Sequence, residues 1–323
     1  MKGYRYALWG AVALLLLGGA YWSMRDRILT DRQVPQDDRL QIVVSFFPYG
    51  EFARAVVGDR ATVSELVPSG VEPHDFEPTP RDIERMYRAD IVIINGAGID
   101  AWAEKVAREL PERGVRVIRM ADGIELLSAS EEEHEEENQE ISHEESEIHS
   151  ADPHFWLDPV LAQSQVRTIA RVVGEQDGQY RDFYQARAEV FALELGRLDQ
   201  EYQTGLSQCR LRTIVTSHDA FAYLAKRYLL ETVSIAGLSP DAEPSSQRLA
   251  EIARETSRLG VKFIFFETLS SPKLAQTLAG ELGIGTLVFD PIEGSPVVDG
   301  ARATYTELMR SNLRNLEVAL ECL

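Results

Sequence analysis

The chain has 323 residues, of which 44% are hydrophobic and 26% are charged, and this ordinary globular composition excludes a collagen, a coiled coil and wholesale disorder. Its net charge of −19 makes it a poor candidate for binding nucleic acid, where phosphates must be neutralised by Lys and Arg, and suits a cationic ligand better. The length fits two domains of ordinary size, and a single long apolar run excludes a polytopic membrane protein.

Residues 1–30 are typical of a targeting segment. Two basic residues precede an uncharged apolar stretch over residues 7–23, and two more follow it, which is the order of parts in a secretory signal peptide. No clean A-x-A cleavage site follows the apolar stretch, and the segment contains no Cys for lipid attachment. We therefore expect an uncleaved signal-anchor that holds the protein to the membrane, with a cleaved signal peptide as the alternative. Both place the protein outside the cytoplasm, in the periplasm or at the cell surface. Residues 31–40 form a polar spacer.

Strands and helices alternate between residues 41 and 175, which we interpret as an N-terminal lobe. A helix start is marked by Thr79 as a cap and Pro80 at the first helical position. Helices between consecutive strands imply a parallel sheet with crossover connections. The β-branched and apolar runs predict four strands, at residues 41–46, 61–67, 91–95 and 115–120.

An acidic segment over residues 128–150 interrupts this lobe. Its central part, Glu131–Glu147, holds ten Glu and two His and almost nothing apolar. Such a segment cannot bury a core, so we expect a disordered loop. Its histidines, with one just beyond, form a possible secondary metal loop: His134, His143 and His149.

A long helical pattern over residues 176–208 predicts a linking helix that connects two lobes as a rigid spine. Alternation then resumes over residues 209–323, which we interpret as a C-terminal lobe. Its predicted strands are at residues 213–216, 232–235, 263–266 and 285–289. The predicted fold class is therefore α/β, with two β/α lobes that each contain a parallel sheet and are joined by one long helix.

The chain contains two cysteines, Cys209 and Cys322, and neither lies in a C-x-x-C motif. An even pair in an exported protein predicts a disulfide bond. The alternative is two separate buried thiols.

Three of the six histidines, His74, His154 and His218, lie just ahead of predicted helices. His74 and His218 follow predicted strands, and Asp290 follows the last predicted strand. Ligands of open α/β sheets bind outside the carboxyl ends of the strands, so these four side chains could converge on one cleft between the lobes.

Three imidazoles and one carboxylate form a complete four-coordinate shell for zinc. Manganese would favour more oxygen ligands and a higher coordination number. Two further carboxylates, Glu72 and Glu267, could hydrogen-bond a ligand histidine. A zinc hydrolase is a competing hypothesis, but a catalytic zinc keeps an open coordination position, which Asp290 would close.

Several motifs together resemble the zinc/manganese class of ABC-transporter solute-binding proteins. The combination of DPHFWLDP with GLSPDAEP is specific, and the resemblance covers roughly residues 41–323. The matching segments are Pro68–Arg81, Asp152–Pro159, Ser217–Phe221, Gly237–Pro244, Phe265–Lys273 and Asp290–Pro291.

The resemblance implies two β/α lobes with the metal between them and places the ligands on His74, His154, His218 and Asp290. It also implies that family members with a histidine at the position of His218 bind zinc, whereas members with a glutamate there bind manganese. Some zinc members carry a Glu directly before the first histidine, where this chain has Pro73, with Glu72 as the nearest acid.

We accordingly expect a monomeric zinc receptor, not an enzyme, that hands metal to the ABC permease of an importer. A manganese or iron receptor of the same class is the alternative, and an adhesin or metal store without a transport partner is a further one.

Overall fold

The computed structural model describes residues 39–128, 151–240, 244–294, 297–298 and 301–323. The predicted targeting segment, nearly all of the spacer and the acidic loop with His134, His143 and His149 lie outside the described residues. Within the described ranges no helix is long and apolar enough to cross a membrane.

The N-terminal lobe contains a four-stranded parallel sheet in the spatial order β2-β1-β3-β4. The central strands read LQIVV and IVII, and β3 is buried along its whole length, as expected for a parallel sheet covered on both faces. The strands are β1 (Leu40–Val44), β2 (Ala61–Glu65), β3 (Ile91–Ile94) and β4 (Arg116–Arg119), and the helices between them are α1 (Phe47–Val57), α2 (Pro80–Tyr87) and α3 (Ala101–Ala107).

Two long helices, α4 (Pro159–Gln176) and α5 (Arg181–Gly205), follow the N-terminal lobe and pack along each other. A one-turn 3-10 helix, Gly178–Tyr180, joins them. At about 1.5 Å per residue, α5 extends for roughly 37 Å. It contacts α1 of the N-terminal lobe and the last helix of the chain, which confirms the predicted long linking helix.

The C-terminal lobe repeats the same topology, with a parallel sheet in the order β6-β5-β7-β8. A short antiparallel pair, β9 (Val297–Val298) and β10 (Ala301–Arg302), lies between the last strand of this sheet and the final helix. The sheet strands are β5 (Thr213–Thr216), β6 (Glu231–Ser234), β7 (Phe263–Phe266) and β8 (Gly285–Val288), and the helices are α6 (Ala222–Tyr228), α7 (Ser246–Leu259), α8 (Lys273–Leu282) and α9 (Tyr305–Ala319).

One cluster of buried apolar side chains runs through both lobes and the linking helices. It includes Phe46 and Trp156 before the linking helix, Leu195 within it, and Phe289 and Tyr305 after it. Separate clusters cover the outer face of each sheet. The two lobes are therefore packed against each other through a shared core, which fixes the edges of the two sheets that face the cleft.

The predicted disulfide bond between Cys209 and Cys322 is present and links positions 113 residues apart. Cys209 precedes β5, whereas Cys322 follows α9. The bond, with the backbone hydrogen bond from Leu211 N to Leu320 O at 3.0 Å, closes the C-terminal lobe on itself.

Candidate metal centre

His74 lies in the loop that connects β2 to α2. The loop turns at Gly70, whose φ of 82° favours glycine, and ends at a capping box in which Thr79 and Asp82 satisfy each other's backbone amides. The backbone amide of His74 donates to Glu72 Oε1 at 3.2 Å. The loop is thus fixed at both ends, and it holds His74 with only 11% of its side chain exposed.

His154 lies just before a 3-10 turn, Phe155–Leu157, that leads into α4. Asp158 caps α4 by accepting from the amides of Val160 and Leu161, as its position before Pro159 predicts. The preceding carbonyl, that of Pro153, accepts from Asn95 Nδ2 at 2.9 Å, and Asn95 follows the central strand β3. His154 is fully buried.

His218 follows β5, the central strand of the second sheet, and is also fully buried. The hydroxyl of Thr216 donates to the carbonyl of His218 at 2.9 Å. The next amide, Asp219 N, donates to Gly237 O beyond the neighbouring strand at 2.9 Å. Both bonds fix the backbone from which this imidazole projects.

The fourth group in the cluster is Glu293, not Asp290, which corrects the predicted ligand set at one position. Asp290 instead builds the turn that aims Glu293. Its Oδ1 accepts from Ile292 N at 2.7 Å, its Oδ2 accepts from Thr268, and its backbone amide donates to Asn312 Oδ1 at 2.9 Å. With its carboxylate occupied in this way, Asp290 does not reach the cleft.

The turn at Ile292 has a left-handed backbone, with φ of 60°. A β-branched residue adopts this conformation rarely, at a cost of about 1–3 kcal/mol, so the surrounding contacts must enforce it. Ile292 is fully buried, and the adjoining carbonyl of Pro291 accepts from Trp156 Nε1 at 2.8 Å. The N-terminal lobe therefore helps to hold the turn that presents Glu293.

The three imidazoles converge on one oxygen of Glu293. The Nε2 atoms of His154, His74 and His218 lie 3.2, 3.6 and 3.7 Å from Glu293 Oε1. Four donors arranged tetrahedrally at zinc's usual bond length would be roughly 3.3–3.6 Å apart. One donor atom from each residue lies within 4.8 Å of the other three. The cluster therefore has the size and donor set of a four-coordinate metal site.

Unpartnered polar atoms mark the same point. His74 Nε2, His218 Nε2 and Glu293 Oε2 are buried without a hydrogen-bond partner. Buried polar atoms in folded proteins are nearly always hydrogen-bonded, because an unsatisfied one costs about 1–3 kcal/mol. Three unsatisfied polar atoms within one buried cluster are suited to a shared cation.

Two carboxylates outside the cluster orient the histidines. Asp152 Oδ1 lies 2.8 Å from His154 Nδ1, and Glu267 Oε1 lies 2.6 Å from His218 Nδ1. An ionised carboxylate only accepts, so Nδ1 carries the proton in both rings. In the neutral imidazoles, the lone pair is then on Nε2, which faces Glu293. Asp152 was not among the sequence candidates, although it stands two residues before His154.

The charges of the cluster shift its pKa values in opposite directions. Burial works against protonation of His154, but hydrogen bonds with Asp152 and Glu293 raise its pKa on balance. Burial likewise works against protonation of His218, but the carboxylates of Glu267 and Glu293 outweigh this effect, so the pKa of His218 lies well above its usual value. For His74 burial dominates and lowers the pKa. The imidazoles hold the pKa of Glu293 well below its usual range despite its burial.

Glu72 borders the cluster on the side of His74. Burial, followed by the charge of Glu293, raises the pKa of Glu72 to about 9. It therefore carries a proton at neutral pH while Glu293 holds the negative charge. The cluster itself consists of three imidazoles and one carboxylate.

Several proteins similar to this chain carry zinc in their names. The family model described as "Zinc-uptake complex component A periplasmic" matches residues 42–319. The chain is 38% identical over 284 residues to the high-affinity zinc uptake system protein ZnuA of Bacillus subtilis, which covers 88% of each chain.

Two streptococcal proteins extend the comparison. The zinc-binding lipoprotein AdcA of Streptococcus pneumoniae is 35% identical over 291 residues, which are 90% of this chain but 58% of AdcA, so the chain spans little more than half of that relative. A crystal structure of a Zn(II)-bound variant of AdcAII from Streptococcus pneumoniae superposes with a TM-score of 0.77 at 32% identity, covering 88% of this chain and 99% of that one.

The fold, the buried group of three histidines and one glutamate, and a family match over nearly the whole described fold agree with one another. The chain belongs to the ZnuA family, the periplasmic component A of zinc-uptake complexes.

Proposed function

We propose that this protein is an extracytoplasmic receptor that binds one Zn2+ through His74, His154, His218 and Glu293 and delivers it to an ABC importer. The observation that carries the proposal is the convergence of three imidazole Nε2 atoms on one carboxylate oxygen at 3.2–3.7 Å within the cleft between the lobes. Neutral imidazoles and one carboxylate would leave a bound Zn2+ with one net positive charge. The carboxylates of Asp152 and Glu267, which are hydrogen-bonded to Nδ1 of His154 and His218, offset that charge.

The donor set favours zinc over manganese. Three nitrogens and one carboxylate satisfy the tetrahedral preference of Zn2+, whereas Mn2+ favours oxygen donors and a higher coordination number. At His218 the site provides a nitrogen donor, whereas a carboxylate at this position would provide the oxygen that Mn2+ favours. Because four protein groups fill the zinc shell, no position remains for the activated water that a hydrolase needs.

The family's place in an uptake complex supports the proposed delivery to a membrane permease. A receptor of this kind works outside the cytoplasm, and we propose that residues 7–23 either anchor it to the membrane or are removed as a signal peptide. The net charge of −19 would attract divalent cations toward the protein before capture.

Metal analysis of the purified protein tests the proposal. We expect one zinc per chain, displaced by manganese only at large molar excess. The variant His154→Ala should lose tight binding, because it removes one of four donors. The matched control replaces three other histidines of the same chain, His134, His143 and His149, with Ala, and should keep the tight site. Preferential retention of manganese, or loss of zinc in the control but not in His154→Ala, would contradict the assignment.

A further inference from the structure

Arg302, in the C-terminal lobe, makes an ion pair with the N-terminal lobe. Its Nη1 donates to Glu65 Oε1 at 3.1 Å, and its Nη2 donates to Glu65 Oε2. The two residues are 237 positions apart, and Glu65 is the last residue of β2. A guanidinium and a carboxylate that exchange two parallel hydrogen bonds fix orientation as well as distance. This pair therefore ties one lobe to the other in a defined geometry.

The N-terminal lobe provides a fitted socket for this arginine, formed by Phe47, Gly50, Arg54 and Glu65. The Arg302 guanidinium lies over the Phe47 ring, with Cζ 4.9 Å from the ring centroid. Arg54 Nη1 donates to the same Glu65 Oε1 at 2.7 Å and so also holds the carboxylate. Only 8% of the Glu65 side chain is exposed.

Gly50 shows that the socket has a steric requirement. It lies inside helix α1, where glycine is destabilising relative to alanine. A Cβ atom at this position would lie 2.4 Å from Glu65 Oε1 and 2.9 Å from Arg54 Nη1. The absence of a side chain at Gly50 therefore gives the Glu65 carboxylate the space in which it meets Arg302.

Arg302 is connected to the metal cluster by a short path. In the β9–β10 pair it stands directly opposite Val297, and Val297 is four residues after Glu293. The other end of the same segment is held within the C-terminal lobe, where Asn312 brackets Asp290 through hydrogen bonds of 2.9 and 2.7 Å. Glu293 thus lies between one anchor in its own lobe and one in the other lobe. On the opposite side, Glu65 ends the strand that leads into the loop of His74.

We infer that Arg302 is a positioning residue for the metal centre, and that its ion pair with Glu65 holds Glu293 against the N-terminal lobe and slows metal release. The inference rests on the proposed function, since it concerns how firmly that site keeps its metal. When the pair is broken, fewer contacts hold the described residues around Glu293 to the N-terminal lobe, among them the hydrogen bonds of Pro291 and Tyr305 with Trp156. Glu293 then leaves the three histidines more often, and each departure removes one of four donors.

The test compares the rates of zinc release from Arg302→Gln and from a matched control. Arg310 has the same side-chain exposure as Arg302, 33%, and it also makes two hydrogen bonds to one carboxylate, Glu201 on α5, at 2.8 and 3.1 Å. It does not belong to the segment that carries Glu293, so Arg310→Gln controls for loss of a surface ion pair. Zinc-loaded proteins are mixed with excess chelator in a stopped-flow instrument, and metal content and the unfolding temperature without metal are measured in parallel.

We expect Arg302→Gln and Glu65→Gln each to release zinc about tenfold faster, because removal of one partner of a partly buried charge pair acts mainly on dissociation. The double variant should be no faster than either single variant. The Arg310→Gln protein should release zinc at the original rate even if it unfolds at a lower temperature. Raised salt should also speed release from the unaltered protein and leave Arg302→Gln almost unaffected.

Equal release rates for Arg302→Gln, Arg310→Gln and the unaltered protein would overturn the inference. Additive effects of Arg302→Gln and Glu65→Gln would also overturn it. If Arg302→Gln does not fold, Glu65→Gln alone decides the outcome through the same rate. A failure of the proposed function looks different, since the unaltered protein would then hold no stoichiometric zinc at all.

Discussion

Glu267 Oε1 lies 2.6 Å from Nδ1 of His218, and both side chains are buried. This contact assigns the proton of the neutral imidazole to Nδ1 and the lone pair to Nε2, on the side of Glu293. It also places a negative charge behind a histidine that would bind a cation. The apolar strand β7, which Glu267 directly follows, therefore supplies the electrostatic support for a ligand on the neighbouring strand β5.

Replacing Glu267 with Gln should weaken zinc binding about tenfold, the lower end of the range for groups that orient a metal ligand. An amide oxygen can still accept from Nδ1, but the negative charge is lost. Competition with a zinc indicator of known affinity measures the change. Glu104→Gln is a suitable control, since Glu104 is also a buried carboxylate, 5% exposed, and it pairs with Arg119 away from the cluster. An equal loss of affinity in both variants would mean that the effect is one of general stability.

The fourth ligand can be identified by two conservative substitutions. Glu293→Gln should weaken binding by more than about 100-fold, because loss of a donor exceeds the loss expected for a supporting group. Asp290→Asn should keep near-normal affinity, since its remaining oxygen still accepts from Ile292 N and its amide can donate to the Thr268 hydroxyl. Isothermal titration of both variants with zinc distinguishes the two positions. The opposite ranking would restore Asp290 as the ligand.

The sequence predicted the sheets well because their signal is local. The runs TIVT and FIFF consist of β-branched and aromatic residues and are bounded by polar ones, and the predicted and observed bounds of β5 and β7 coincide. The linking helix was predicted over 176–208, whereas α5 begins at Arg181, after the 3-10 turn at Gly178–Tyr180 that separates it from α4.

The fourth ligand was harder to predict because loops have no periodicity. Asp290 stood out since it directly follows a strand and precedes a proline, and those two properties are what make it a turn residue. Glu293, three residues later, has neither property, since it lies between Ile292 and Gly294 in a loop. His74 and His218 could be placed because they lie in loops that follow strands, and His154 because it precedes a capped helix.

Zinc binding should release protons at neutral pH and weaken as the pH falls. The pKa of His154 is raised from its usual 6.5 and that of His218 lies well above it, so both imidazoles keep a competing proton to higher pH than a free histidine does. The decline in affinity should therefore begin above pH 6.5. Titration calorimetry in buffers of different ionisation enthalpy should give about one to two protons released per zinc at pH 7. Glu267→Gln should lower that number, because it removes a charge that raises the pKa of His218.

The same pKa shifts of the histidines determine how the stabilisation of the protein by zinc changes with pH. A histidine with a raised pKa stabilises the metal-free fold at low pH, and that contribution is lost as the pH rises through the raised pKa. Zinc contributes more stability as proton competition disappears. The increase in unfolding temperature caused by zinc should therefore be larger at pH 8 than at pH 6. No proton release at pH 7, together with a pH-independent increase, would contradict protonation of the metal-free cluster.

Removal of the disulfide bond should separate stability from metal binding. The bond closes a loop of 113 residues, for which loss of the chain constraint should lower the free energy of unfolding by about 4 kcal/mol. Cys209 precedes β5, at the amino end of the second sheet, whereas His218 and Glu293 follow the carboxyl ends of β5 and β8. The double variant Cys209→Ser, Cys322→Ser should therefore unfold at lower denaturant concentration and bind zinc with nearly unchanged affinity at temperatures where it remains folded. Denaturant unfolding and zinc titration of the same preparation measure both quantities. A large loss of zinc affinity in the folded variant would show that the bond also shapes the metal centre through the C-terminal lobe.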